Sequence, residues 1–131
     1  GCVVGILSVV YIAKEMGATP DVIRSLAPKS VTTPIAMEVT KAVGGIPSLT
    51  AAVVVCVGLM CAVCGYKTMG FARVKSPVAQ GLSMGTAAHA LGTATSMDVS
   101  RVHGAYASLG LTLNGIFTAL LTPSILPMLN I

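Results

Sequence analysis

The sequence predicts an all-α, polytopic membrane protein with interrupted helices. Three observations carry that prediction. Charged residues make up 9% of the 131 residues and hydrophobic ones 54%, with a mean hydropathy of +0.88. A soluble domain carries about 25% charge, and so few charges cannot cover a small soluble surface. The run from Pro47 to Tyr66 has no charge and is rich in Val, Ala and Cys, long enough to span a bilayer. Finally, Ala27-Pro28-Lys29-Ser30-Val31-Thr32-Thr33-Pro34-Ile35-Ala36-Met37-Glu38 is hydroxyl-rich and proline-punctuated between apolar neighbours, which is too polar for lipid-facing helix.

Taken in order, Cys2 to Ala13 is apolar and ends at Lys14-Glu15, the pattern of the tail of a transmembrane helix that begins upstream. Gly17 to Ser25, with Pro20, Asp21 and Arg24, is a short polar connection with room for one helical turn at the interface. A proline inside a helix removes a hydrogen bond and clashes with the preceding turn, so Pro28 and Pro34 mark where helix begins. Thr33 is then the N-cap and Pro34 the first helical residue. The amides of Ile35, Ala36 and Met37 would point back toward the hydroxyls of Ser30, Thr32 and Thr33, an arrangement that suits an anion. Ser30 to Val43 is shorter than the roughly 20 residues of a spanning helix, so it is a half-helix or a re-entrant element. Glu38 and Lys41 are spaced to pair on one face.

Gly44-Gly45-Ile46-Pro47 breaks that helix, and Pro47 to Tyr66 is the surest transmembrane segment. Lys67, Arg73 and Lys75 follow as a basic loop, placed in the cytoplasm by the positive-inside rule. Alternation across successive spans puts Lys14, Arg24 and Lys29 on the same side, with Lys41 and Arg101 opposite. In Ser76 to Met97, Gly81 and Gly85 have the small-xxx-small spacing that lets helices approach closely. Gly92-Thr93-Ala94-Thr95-Ser96 repeats the chemistry of the earlier hydroxyl run and predicts a second break. After a connection from Asp98 to His103, Gly104 to about Thr122 forms the last span, loosened by Pro123 and Pro127. The whole chain, 1–131, is one membrane domain.

The candidate substrate-binding group is Lys29, Ser30, Thr32, Thr33 and Pro34 with Gly92 and Thr93, where half-helix N-termini and hydroxyls can hold a carboxylate. The bland alternative is that the hydroxyls satisfy backbone freed by Pro34. His89, ionisable within a glycine-flanked segment, is a candidate for proton coupling or ligand contact, as is Glu38. Asn114, with Gly81 and Gly85, is assigned to helix packing. The net charge of +4 comes from scattered basic residues with few aromatics, which argues against nucleic acid. Cys61-Ala62-Val63-Cys64 has half-site spacing, yet buried cysteine usually behaves as a small hydrophobe. No nucleophile elbow, paired acids or metal-ligand motif appears, so neither an enzyme nor a metal or cofactor is expected.

The run Leu26 to Glu38 closely resembles the signature of the LrgB/CidB family of bacterial membrane proteins, which includes YohK-like proteins and the plastid glycolate/glycerate translocator. Gly44-Gly45-Ile46-Pro47-Ser48-Leu49-Thr50-Ala51, Gly85-Thr86-Ala87-Ala88-His89-Ala90-Leu91-Gly92-Thr93-Ala94 and Leu113-Asn114-Gly115-Ile116-Phe117-Thr118-Ala119 follow in the family's order. The resemblance covers essentially the whole chain and implies the C-terminal part of an inverted-repeat, transporter-like fold with further segments upstream. It also implies a multi-pass protein of the inner (cytoplasmic) membrane. Two functions follow from it: transport of small organic anions such as glycolate, pyruvate or acetate, or holin/antiholin-like regulation of murein hydrolase activity and autolysis. The second would involve the lipid bilayer, a small LrgA/CidA-type membrane partner and homo-oligomer formation.

Overall fold

The computed structural model describes residues 1–131 and contains only helices: α1 (Cys2–Glu15), α2 (Pro20–Leu26), α3 (Thr33–Ala42), α4 (Pro47–Phe71), α5 (Pro77–Val99) and α6 (Arg101–Met128). Proline sets most of the starts. Pro20, Pro34, Pro47 and Pro77 each occupy one of the first two positions of a helix, behind an extended residue. There the missing N–H costs no hydrogen bond. Gly17 and Gly44, both at φ 75, close α1 and α3 in the left-handed conformation, which a glycine adopts without steric cost.

Two helices, α4 with 25 residues and α6 with 28, are long and apolar enough to cross a membrane. At 1.5 Å per residue α4 extends about 37 Å, more than the roughly 30 Å hydrocarbon core. Met60 and Val63 of α4 and Leu109, Ile116, Phe117 and Leu120 of α6 stand exposed, an outer face matched to lipid. The helix expected over Pro47 to Tyr66 is present and runs five residues further, taking Lys67 into it.

The helix α5 is not a span. At His89 the backbone takes φ 44, ψ −132, and helical geometry is broken there. A Cβ built on Gly92 would stand 2.5 Å from the carbonyl oxygen of Met84. Eight residues of straight helix would separate those two positions by about 12 Å. The chain therefore folds back at His89, and 77–88 and 90–99 are the two arms of a hairpin. Both arms lie along α4: Gly65 meets the Met84 sulfur, and the Tyr66 hydroxyl bonds Ser96 Oγ at 2.8 Å. The first arm runs alongside α6 in the same direction. A Cβ at Gly81 would stand 2.5 Å from the His103 carbonyl oxygen, a Cβ at Gly85 would fall on the Ala107 backbone, and one at Gly110 would lie 2.8 Å from the Leu82 oxygen. Gly81, Gly85 and Gly110 thus lie where the two helices approach most closely.

A second hairpin faces the first from the opposite end. Ser25 of α2 sits against the start of α4, its hydroxyl accepting from the Ile46 amide at 2.7 Å and its carbonyl from Thr50 Oγ1 at 2.9 Å. The chain descends through 27–32, where Val31 packs with Val54 and Ala36. It then returns along α3 to Thr40, whose hydroxyl meets that of Thr50 at 2.8 Å. Neither interrupted segment crosses the fold. They enter from opposite ends and meet tip to tip.

Several expectations are corrected by this arrangement. The helix α3 starts one residue early, with Thr32 rather than Thr33 as N-cap and Pro34 at the second helical position, and the Thr32 side chain makes no cap bond. The polar connection over Gly17 to Ser25 holds the two-turn helix α2. The break in α5 falls at His89, ahead of Gly92 to Ser96, because those hydroxyls bond the helix's own carbonyls instead of interrupting it: Thr93 to His89, Thr95 to Leu91 and Ser96 to Gly92. The connection over Asp98 to His103 shrinks to Ser100, which caps the His103 amide at 3.3 Å. The helix α6 continues through Pro123 and Pro127, held by Leu126, which is 1% exposed against Ile6, Val10 and Ile23.

The hairpin also moves charges. Gln80, His103 and Ser100 are joined at one end, His103 Nε2 lying 2.9 Å from Gln80 Oε1 and Nδ1 2.8 Å from Ser100 Oγ. Arg101 therefore lies at the same end as Lys67, Arg73 and Lys75, not opposite. Arg24 lies beside Gly44, close to Lys41, and Lys14 lies near the C-terminal Leu129 and Ile131. Lys14 and Arg24 thus sit at the Pro47 end with Lys41, and Lys29 lies between the ends. The Phe71 end holds four basic residues and only Asp98 as acid, whereas the Pro47 end balances Lys14, Arg24 and Lys41 with Glu15, Asp21 and Glu38.

Candidate functional site

The two tips flank an open cleft of about 690 Å³, within the range of small-ligand sites. Thr32, Thr33 and Pro34 line it from the first hairpin, His89, Ala90 and Leu91 from the second, and Val55 and Leu59 from α4. Two half-helices begin at this cleft and run away from it in opposite directions: α3, and the returning arm 90–99. Their N-terminal amides and the positive ends of their dipoles therefore converge on one space.

Most threonines in the chain spend their hydroxyls on protein groups, commonly a carbonyl four residues back, as at Thr68, Thr86, Thr93 and Thr112. Thr32 and Thr33 do not. Thr32 uses only its carbonyl, as acceptor for the Ala36 amide at 2.9 Å, and neither hydroxyl engages another residue.

His89 forms the opposite wall. Its Nε2 lies 2.8 Å from the Val54 carbonyl oxygen, and because that oxygen can only accept, Nε2 carries the proton and Nδ1 is left without a protein partner. The ring fits because α4 has glycine at position 58. A Cβ there would lie 2.5 Å from His89 Cε1 and 2.7 Å from Nε2. The positive φ of His89 is a conformation that costs a residue with a side chain about 1–3 kcal/mol. Val54 ties the two tips to the same turn of α4, through its side chain on Val31 and Ala36 and its carbonyl on His89.

The remaining candidates are distributed around this cleft. Lys29 is half-buried at the first tip, its Nζ 3.5 Å from Ser30 Oγ, and neither residue lines the cleft. Gly92 and Thr93 are buried behind it, closing the hairpin. Glu38 lies on the outer face of α3, bonded to Lys41 at 2.7 Å with its side chain 72% exposed, and is not part of the cleft. Asn114 sits at the back of the tips. Its Nδ2 donates to the Ser30 carbonyl at 2.8 Å and to the Thr86 carbonyl at 3.2 Å. Sequence reasoning missed Gly58, Val54 and Ala90. Only Gly58 had a visible signal, as one of two glycines, with Gly65, inside the charge-free run from Pro47 to Tyr66.

The profile of the LrgB-like family matches residues 1–128. An uncharacterized protein of Haemophilus influenzae is 41% identical over 118 residues, covering 90% of this chain and 51% of the relative. The antiholin-like protein LrgB of Bacillus cereus (strain B4264) is 33% identical over 130 residues, covering 99% of this chain and 56% of the relative. A protein of the same name from Bacillus anthracis matches equally. The chain thus spans about half the length of these curated relatives. No solved structure matches it. With nearly every residue inside the family's profile and its signature segments forming the two facing tips, this chain belongs to the LrgB-like family.

Proposed function

We propose that the cleft between the hairpin tips binds the carboxylate of a small organic anion, of the glycolate, pyruvate or acetate type. The protein then carries that anion across the cytoplasmic membrane. The observation that supports this is the pair of uncommitted hydroxyls on Thr32 and Thr33, set between two half-helix N-termini that face each other. Directed amides and converging partial positive charge favour an anion. Lys29, at the first tip but outside the cleft lining, contributes positive charge only at longer range, and Val55 and Leu59 supply an apolar wall for the short carbon skeleton. His89 is the one titratable side chain lining the cleft, and a proton on Nδ1 would turn it toward an anion, which makes it the candidate for coupling transport to protons. The excess of basic residues at the Phe71 end supports a cytoplasmic location for that end.

The test is uptake of labelled glycolate and pyruvate by proteoliposomes containing the protein. Thr33→Val keeps size and branching and removes the oxygen. A lost hydrogen bond to a charged group is worth about 1.5–3 kcal/mol, so affinity should fall roughly ten- to a hundredfold, with Thr33→Ser far milder. If a well-inserted Thr33→Val protein and Thr32→Val both transport like the parent, the site is wrong.

The second reading, antiholin-like regulation of murein hydrolase activity with a small LrgA/CidA-type partner or through homo-oligomers, is favoured by the name of the Bacillus relatives. It requires associating surfaces and no ligand site. Absence of uptake for every small carboxylate, with intact control of lysis, would select it. Altered lysis that disappears with Thr33→Val would make it a consequence of transport.

A further inference from the structure

We propose that Asn114 is the positioning residue that fixes the separation of the two hairpin tips, and with it the width of the cleft. The claim about anion affinity rests on the reading above; the claim about tip separation does not. Each hairpin is clasped at its own base. Ser25, Thr40 and Thr50 hold the first, while Gln80, His103, Tyr66 and Ser96 hold the second. At the tips Asn114 is the one side chain that hydrogen-bonds to both.

Its two acceptors are carbonyls that the chain breaks set free. Ser30 lies in the turn before α3. Thr86 lies three residues before His89, so the amide four residues on belongs to the far side of the turn. Both acceptors are oxygens that can only accept, so the amide nitrogen must face them, and both of its hydrogens are used. The glycines on either side explain how one short side chain reaches two hairpins. A Cβ at Gly110 would press on Leu82 of the second hairpin, and one at Gly115 would lie 3.4 Å from Ile35 of the first. The frame helix α6 therefore lies close against both, and Asn114, itself 4% exposed, bonds the two carbonyls.

The experiment measures tip separation directly. Spin labels are placed by Glu38→Cys and Ala87→Cys, both exposed positions outside the cleft, in a protein whose native cysteines are replaced by serine. The parent should give one narrow distance distribution. Asn114→Leu, similar in size and without donors, should broaden it toward longer distances and weaken glycolate binding at least tenfold. Asn114→Gln, which keeps both donors one methylene further out, should give a narrow but shifted distribution. Thr118→Val removes a buried hydroxyl on the same helix that contacts Cys2 and neither hairpin, so it should leave the distribution unchanged. If Asn114→Leu does not fold, the Gln variant decides. A parent-like distribution in the folded Asn114 variants overturns the proposal, as does a shift of equal size in Thr118→Val. If the distances move as expected while the parent binds no glycolate, the anion reading fails and the positioning role stands.

Discussion

Two glycine-to-alanine changes in the same helix should shift stability in opposite directions. In an unconstrained helix, alanine gains about 1 kcal/mol over glycine. Gly70 has nothing within 4 Å of where a Cβ would be, so Gly70→Ala should show up to that gain. At Gly58 the Cβ would stand 2.5 Å from His89 Cε1, 2.7 Å from Nε2 and 2.8 Å from Leu91 Cδ1. The ring cannot step aside freely, because it is bonded to Val54 and carried by a residue at φ 44. Overpacking of this kind costs about 1–3 kcal/mol, and loss of the His89 bond about 1 kcal/mol more. After the helix gain, Gly58→Ala should be less stable than the parent by about 1–3 kcal/mol. Thermal unfolding of the detergent-solubilised protein reads the difference. If Gly58→Ala melts at or above the parent, as Gly70→Ala does, the placement of His89 against α4 is wrong.

Other consequences are equally direct. Gly85→Ala should destabilise more than Gly58→Ala in the same melt, since the added methyl meets the Ala107 backbone rather than a side chain; equal stability would break the α5–α6 packing. Cysteines replacing Arg73 and Arg101 should label with an impermeant maleimide from the same face of the membrane, and one replacing Lys41 from the other; a split between 73 and 101 would refute the hairpin at His89. His89→Gln keeps a hydrogen-bonding side chain but cannot take up a proton, so it should flatten the pH dependence of uptake, and an unchanged profile would leave His89 a purely structural role.

Much of this fold is written in composition and spacing. The charge-free run after Pro47 gives the α4 span, and glycines four apart give the face of α5 that meets α6. Prolines 28 and 34 locate the first interruption because the missing N–H has a local effect. The second interruption is hidden because it falls on a histidine at positive φ, a conformation no local signal announces, while the flanking Gly92 and the hydroxyls of Thr93, Thr95 and Ser96 draw attention past it. Those hydroxyls turn out to bond helical carbonyls. Charge placement suffers from the same cause: a segment long enough to cross that instead turns back moves Arg101 to the other end. That Thr32 and Thr33 meet His89 is tertiary information, set by the shared turn of α4 at Val54.

One anion held by both hairpins at once should shield a thiol on either tip from labelling. Pro34→Cys and Ala90→Cys place single thiols at exposed positions lining the cleft from opposite hairpins, in a protein whose other cysteines are serine. Maleimide labelling is followed with increasing glycolate. Both thiols should be protected, with the same half-maximal concentration, and Thr33→Val should move both curves together to higher concentration. Protection of only one thiol, or of neither at concentrations that saturate uptake, would contradict binding by both hairpins.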